Sequence, residues 1–233
     1  MSAQSRSFLP ILTAGAVAPA LMLLYLAGFR FPGGRGAEPA PMAAEPAPAG
    51  IVAGVDTAVF AGGCFWGIEA VFDHLVGVST AVSGYAGGTL ASPSYEEVST
   101  GRTGHAESVM VVYDPSRISY DQLLQVFFTV AHDPTELDRQ GPDIGTQYRS
   151  AVFYRNAAQR AAAERYIAKL RDTRVYPSPI VTEVTALNAF HLAEDYHQDY
   201  LVHHPNQPYI VINDRPKLDE LRRRFPELYH AQG

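Results

Sequence analysis

The chain of 233 residues has one cysteine, Cys64, and one tryptophan, Trp66. A lone thiol cannot close an internal disulfide or build a multi-thiolate metal site. It is either packed or reactive. Basic residues are also scarce: 18 Lys and Arg stand against 24 Asp and Glu, for a net charge of −6. Nucleic-acid binding needs a basic face, and the short run Arg222-Arg223-Arg224 falls on a helical pattern and reads as a solvated face. No nucleic-acid partner is expected. A phosphate-binding loop is missing too: Gly84-Tyr85-Ala86-Gly87-Gly88 lacks the G-x-G-x-x-G spacing and reads as a loop beneath the active site. The histidines form no ligand set, since His191 and His197 miss the i,i+4 spacing and His203-His204 is an adjacent pair without nearby partners. No metal is expected. His197 reads either as part of a site rim or as a structural hydrogen-bonding residue. No internal repeat is present.

What is there centres on Val59-Phe60-Ala61-Gly62-Gly63-Cys64-Phe65-Trp66-Gly67. An apolar stretch of β type leads in, two glycines permit a sharp turn, and a helical pattern follows at Ile68-Glu69-Ala70-Val71-Phe72. Free cysteine is commonly inert packing. Glycines on both sides of a core residue waste packing, however, and fit better where the backbone turns tightly and something approaches. The pattern puts the sulfur at a helix N-terminus, where unpaired N–H groups and the macrodipole are expected to favour thiolate over thiol. The tryptophan two residues on suggests a small, partly apolar substrate.

The hydrophobic fraction, 47%, is ordinary for a globular protein, and the length allows one sizeable domain plus extensions. Phe8 to Phe29 is apolar and uncharged. At about 1.5 Å per residue it is long enough for a hydrocarbon core of about 30 Å. It also exceeds the usual signal-peptide core of about 7–15 residues. Residues 1–30 therefore read as a signal anchor or a cleaved signal peptide, so that the chain is membrane-anchored or exported with its catalytic part outside the cytoplasm. Residues 31–51 form a Pro/Ala-rich linker. Residues 52–208 form the catalytic domain, and 209–233 a C-terminal extension without cysteine.

Within the domain, strands are expected at Thr57–Ala61, Val76–Gly84, His105–Tyr113, Ser150–Arg155 and Val181–Ala186. Helices are expected at Gly67–Leu75, Gln122–Val130 (capped by Ser119-Tyr120-Asp121), Ala157–Arg171, Glu194–Leu201 and Lys217–Arg224, and a short helix or turn at Ser94–Thr100. This alternation points to an α+β two-layer sandwich.

Gly63-Cys64-Phe65-Trp66-Gly67 resembles the signature of the peptide methionine sulfoxide reductase family, A type. Further segments match in order: Gly84-Tyr85-Ala86-Gly87-Gly88, Ser94-Tyr95-Glu96-Glu97-Val98, Gly101-Arg102-Thr103-Gly104-His105-Ala106-Glu107, Tyr113-Asp114-Pro115, His132-Asp133-Pro134, Asp143-Ile144-Gly145-Thr146-Gln147-Tyr148-Arg149-Ser150 and Ala193-Glu194-Asp195-Tyr196-His197-Gln198. The resemblance runs from about Val52 to Pro208. It implies a ferredoxin-like core with the cysteine at the first strand-to-helix junction. It also implies reduction of methionine S-sulfoxide in proteins, peptides and the free amino acid.

Sulfoxide reduction needs a soft nucleophile, an acid for the oxygen and a pocket for the methyl group. Cys64 supplies the first. Phe65 and Trp66 offer an aromatic wall for the third, though both types are also ordinary core residues. Glu107 heads an apolar strand, where a carboxyl is costly unless functional or paired, and it matches the family's catalytic glutamate. The resemblance assigns Tyr95 and Tyr148 to hold the sulfoxide oxygen and Asp143 to the substrate's amide side. From the residues alone, Asp143 is a turn-former beside glycine. Many relatives carry further cysteines that resolve the oxidised enzyme. Here Ser99 and the cysteine-free tail Tyr209–Lys217 stand in their places. No bound cofactor is implied; an external thiol, thioredoxin-like, glutaredoxin-like or glutathione, is expected to recycle a monomeric enzyme. A thiol peroxidase and a non-catalytic binding module for oxidised methionine are the alternatives.

Overall fold

The structure is a computed structural model that describes residues 54–231. The apolar stretch from Phe8 to Phe29 and the linker after it lie outside the described residues. Among the described residues, no helix is long and apolar enough to cross a membrane.

The elements follow in the order β1 (Asp56–Ala61), α1 (Phe65–Asp73), β2 (Val78–Ala86), α2 (Tyr95–Val98), β3 (Ala106–Tyr113), α3 (Tyr120–Val126), β4 (Arg139–Gln140), β5 (Asp143–Ile144), β6 (Ala151–Tyr154), α4 (Ala157–Asp172), β7 (Glu183–Ala186), β8 (Phe190–Leu192), α5 (Tyr200–His203) and α6 (Arg215–Arg224). Six strands form one sheet in the order β7-β6-β1-β3-β2-β8. The central four run β6-β1-β3-β2 with every neighbour antiparallel, the order of a ferredoxin-like core. β7 joins β6 in parallel and β8 joins β2 antiparallel, widening the sheet at both edges.

Alternation along the strands sorts side chains between two faces. Ala58 and Phe60 of β1, with Val109 and Val111 of β3, join the main core beneath α1, α3, α4 and α6. Val59 and Ala61 turn to the opposite face, a smaller cluster that Leu187 and Phe190 help to cover. Glu107 shares the β3 face of Val109 and Val111. The strand period therefore carries its carboxyl under α1 rather than to solvent.

Capping boxes start α2 (Ser94 with Glu97) and α3 (Ser119 with Gln122), as their Ser-x-x-Glu/Gln spacing specifies. The expected helix Gln122–Val130 does not run through. It is α-helical only to Val126 and continues as a π-helical turn, Phe127–Ala131. The expected helix Glu194–Leu201 is two short pieces, a 3-10 turn at Asp195–His197 and α5, separated where Asp199 adopts φ +52°. Gly84 to Gly88 is not a loop throughout. Gly84, Tyr85 and Ala86 end β2, where a side chain at Gly84 would strike Phe190 and the His191 carbonyl of β8. Residues after Pro208 are part of the same body: Ile210, Asp214 and Leu221 are fully buried, and Leu221, Phe225 and Leu228 join the main core.

Candidate active site

Cys64 caps the N-terminus of α1, directly after β1. The connection is tight. Gly63 holds φ +105°, a region that L-residues with a side chain rarely adopt. A Cβ there would also lie 2.6 Å from Gln140 Cγ. The turn delivers the sulfur into a cavity of about 270 Å³.

That cavity brings together all seven site residues expected from sequence: Cys64, Phe65, Trp66, Tyr95, Glu107, Asp143 and Tyr148. They arrive from distant places in the chain. Phe65 and Trp66 are the first turn of α1, and Glu107 comes from β3. Tyr95 opens α2. Asp143 lies in the small β4–β5 hairpin, and Tyr148 ends a 3-10 turn that Gly145 introduces. That turn is pinned to the loop after α2: Thr146 Oγ1 donates to the Gly101 carbonyl at 2.8 Å, and Gln147 Nε2 donates to the Ser99 carbonyl at 3.1 Å.

Glu107 is 2% exposed. Its Oε2 accepts the Phe65 N–H at 3.1 Å. Burial pushes its carboxyl from 4.5 up to about 8, against the lowering effect of that hydrogen bond. At neutral pH the group is therefore mostly protonated and able to donate. Burial likewise pushes the Tyr95 hydroxyl up to about 12 and the Tyr148 hydroxyl further above its ordinary value. Both remain donors across the neutral range.

Cys64 departs from the expected thiolate. Burial is the largest influence and lifts the thiol well above its ordinary value, and Glu107 and Asp214 add to it when ionised. The helix does act in the expected sense, through the backbone N–H of Trp66 in its first turn, and Lys217 assists. Desolvation outweighs both. The resting site therefore holds two protons, one on sulfur and one on Glu107.

The aromatic wall is braced from behind. Trp66 stacks on Tyr200, centroids 3.7 Å apart and planes within 7°. Its Nε1 donates to His197 Nδ1 at 3.1 Å. His197 is buried behind Phe65, Trp66 and Tyr95, which is the structural rather than the rim position. Glu194 ties Tyr95 down by accepting its N–H at 2.8 Å and the Tyr85 hydroxyl at 2.8 Å.

Two cavity residues went unread in the sequence, Gln207 and Tyr209. Tyr209 donates to Asp143 Oδ2, so Asp143 is more than a turn-former. The signal for Tyr209 is non-local: it lies 66 positions beyond its partner, in a segment whose own pattern suggests only a tail.

No ligand set of histidines forms among the described residues. The carboxylates of Glu69, Asp73 and Asp199 lie within 4.8 Å of one another, but they serve the fold. Glu69 accepts from the Ser83 hydroxyl and the Asp199 N–H, and Asp73 accepts the Ala81 N–H.

Comparison with known proteins places this site in a family. The family model described as peptide methionine sulfoxide reductase matches residues 56–228. The chain is 56% identical over 176 residues to the peptide methionine sulfoxide reductase MsrA 2 of Mesorhizobium japonicum, covering 76% of this chain and 90% of that one. It is 50% identical over 174 residues to the MsrA of Chromobacterium violaceum, covering 75% and 98%. Among solved structures, the reduced form of Mxr1 from Saccharomyces cerevisiae superposes with TM-score 0.61 at 33% identity, covering 66% of this chain and 87% of that one. Methionine sulfoxide reductase A of Corynebacterium diphtheriae does so with TM-score 0.58 at 39% identity, covering 66% and 77%.

Proposed function

The chain belongs to the peptide methionine sulfoxide reductase family and reduces methionine sulfoxide to methionine, and from that premise we propose how its residues do so. The observation that carries the reading is one cavity that holds the single thiol, a carboxyl kept protonated by burial, and a braced aromatic wall.

The substrate's S-methyl group rests against Trp66 and Phe65, and its oxygen faces Glu107, Tyr95 and Tyr148. Cys64 sulfur bonds to the sulfoxide sulfur while Glu107 gives its proton to the oxygen. The proton lost by Cys64 restores Glu107. The oxygen passes to Cys64, methionine leaves, and the balance is Cys–SH plus sulfoxide giving Cys–SOH plus thioether. Because the thiol is not ionised at rest, its proton loss belongs to the reaction with bound substrate. Asp143, held by Tyr209, takes the backbone amide side of the substrate.

With one cysteine in the chain, recycling needs an outside thiol. Its first equivalent converts the sulfenic acid to a mixed disulfide and water, and its second releases Cys64 as thiol. A thioredoxin-like or glutaredoxin-like protein or glutathione fits this role chemically. The uncharged apolar stretch from Phe8 to Phe29 supports placing the domain at or beyond a membrane. Sequencing the N-terminus of the protein recovered from membrane and soluble fractions tests that placement: recovery of an intact or trimmed chain in the cytosolic fraction alone contradicts it.

The one-sided arrangement, with the methyl wall and the oxygen donors fixed relative to Cys64, supports turnover of a single epimer at sulfur, and the family resemblance makes that the S epimer. With a racemic peptide sulfoxide and excess reductant, conversion is expected to stop at half, leaving the R epimer. Complete conversion of both epimers contradicts the arrangement, and faster turnover of peroxide than of sulfoxide favours a peroxidase.

A further inference from the structure

A partly buried ion pair beside the first turn of α1 takes no part in the reaction steps above. Asp214 is fully buried. Its Oδ1 accepts from Lys217 Nζ at 3.2 Å, while its Oδ2 is buried without a hydrogen-bond partner. An unsatisfied buried oxygen is costly, so stability alone is a poor reason for it. The pair is pressed against α1 itself. A Cβ at Gly67 would lie 2.0 Å from Asp214 Oδ1 and 2.8 Å from Lys217 Nζ. Gly67 stands three residues after Cys64, which caps the same helix. The missing side chain thus opens a notch through which both charges reach the helix end that carries the sulfur.

We propose that Asp214 and Lys217 are positioning residues for the reductase reaction, an opposed pair of charges set against the helix end that carries Cys64 and biasing its thiol in opposite directions. The inference deepens the reading of Cys64 as nucleophile and rests on it. The Asp214 carboxylate opposes thiolate and the Lys217 ammonium favours it. The other ionisable groups facing Cys64 are Glu107 from β3 and the hydroxyls of Tyr95, Tyr148 and Tyr209. Lys217 is the one cation in that set. Burial raises the Asp143 carboxyl, which lines the cavity, and lowers the His132 imidazole, which lies against Gly62; Lys217 opposes the first and adds to the second. Its charge counts most when Cys64 is the leaving group. As the reductant's second thiolate attacks the mixed disulfide, a new S–S bond forms within the reductant, and the electron pair of the broken bond stays on Cys64 until it takes a proton.

Because Cys64 is the only thiol, alkylation of the whole protein by iodoacetamide, followed by intact mass, reads this residue alone. Below the thiol's pKa the rate follows the thiolate fraction, so one pH unit corresponds to about tenfold. At pH 8, Asp214→Asn is expected to alkylate on the order of tenfold faster than the parent. Lys217→Met is expected to alkylate more slowly, and Lys217→Arg to stay near the parent rate. A role in structure alone predicts otherwise, since loosening the C-terminal segment speeds alkylation in both variants. Equal rates in all proteins, or faster alkylation in both Asp214→Asn and Lys217→Met, overturn the inference. Where Lys217→Met does not fold, the pH profile of alkylation in Asp214→Asn, which keeps the side chain's shape, decides: a midpoint moved to lower pH supports the inference, and a faster rate with the midpoint unmoved overturns it. The readout needs no sulfoxide, so its failure is separate from failure of the nucleophile assignment, which shows as turnover surviving in Cys64→Ser.

Discussion

Cys64→Ser is expected to lose reductase turnover by on the order of 10⁴–10⁶, the scale seen when a nucleophile is removed from a preorganised site, while the domain stays folded. A hydroxyl is a poor nucleophile toward sulfoxide sulfur at neutral pH. The fold has a specific reason to survive. Cys64 is the N-cap of α1 and makes no side-chain capping bond, whereas serine is among the favoured N-cap residues. A new cap offsets the loss of a buried sulfur. Steady-state turnover and a thermal melt on the same sample check both halves. Substantial turnover in a folded Cys64→Ser variant removes Cys64 from the chemistry.

Glu107→Gln is expected to slow the chemical step by about 10²–10⁴, the usual worth of a general acid, with far less effect on substrate binding. The pH dependence carries the sign. Glu107 holds its proton up to about 8, so single-turnover oxidation of Cys64 in the parent falls as pH rises through that value. The glutamine variant lacks that limb, and its deficit shrinks as pH falls and solvent protons substitute. On substitution by glutamine, stability moves opposite to rate. The carboxyl is lifted from 4.5 to about 8, so between those values the folded chain holds a proton that the unfolded chain has released. The parent therefore loses stability as pH rises through that window. At pH 7 the cost amounts to about 3 kcal/mol at 1.36 kcal/mol per unit, and glutamine relieves it. A slower but more stable variant is the expected result. Unchanged single-turnover rates assign the acid elsewhere.

The parts of the site legible in the sequence are those with local causes. Gly62-Gly63-Cys64 announces a turn between a strand and a helix, and the structure has that turn. Glu107 stands out because period-2 alternation puts its carboxyl on an apolar face. Trp66 stands two residues from the thiol in the chain and shares its cavity. The residues that went unread depend on distant partners. Tyr209 meets Asp143, Glu194 holds Tyr95, and Asp214 needs the notch at Gly67. The expected thiolate failed for the same reason: the helix N-terminus is written beside Cys64, whereas the burial that overrides it is assembled by the whole fold. Gly84 misled because glycine most often marks a turn; here it lets Phe190 and the His191 backbone close on β2. Asp199 broke an otherwise helical pattern, its N–H held by Glu69 from α1 at 2.7 Å.

The single-thiol cycle is tested most directly by mixing the protein with excess S-sulfoxide peptide and no reductant, then counting methionine released and weighing the intact chain. One methionine per enzyme is expected, followed by arrest, with one added oxygen on Cys64 and no free thiol remaining. Addition of a monothiol or a thioredoxin-like dithiol is expected to restart turnover through a mixed disulfide at Cys64. A stalled protein that retains its free thiol, or release of clearly more than one methionine per site without reductant, contradicts the cycle.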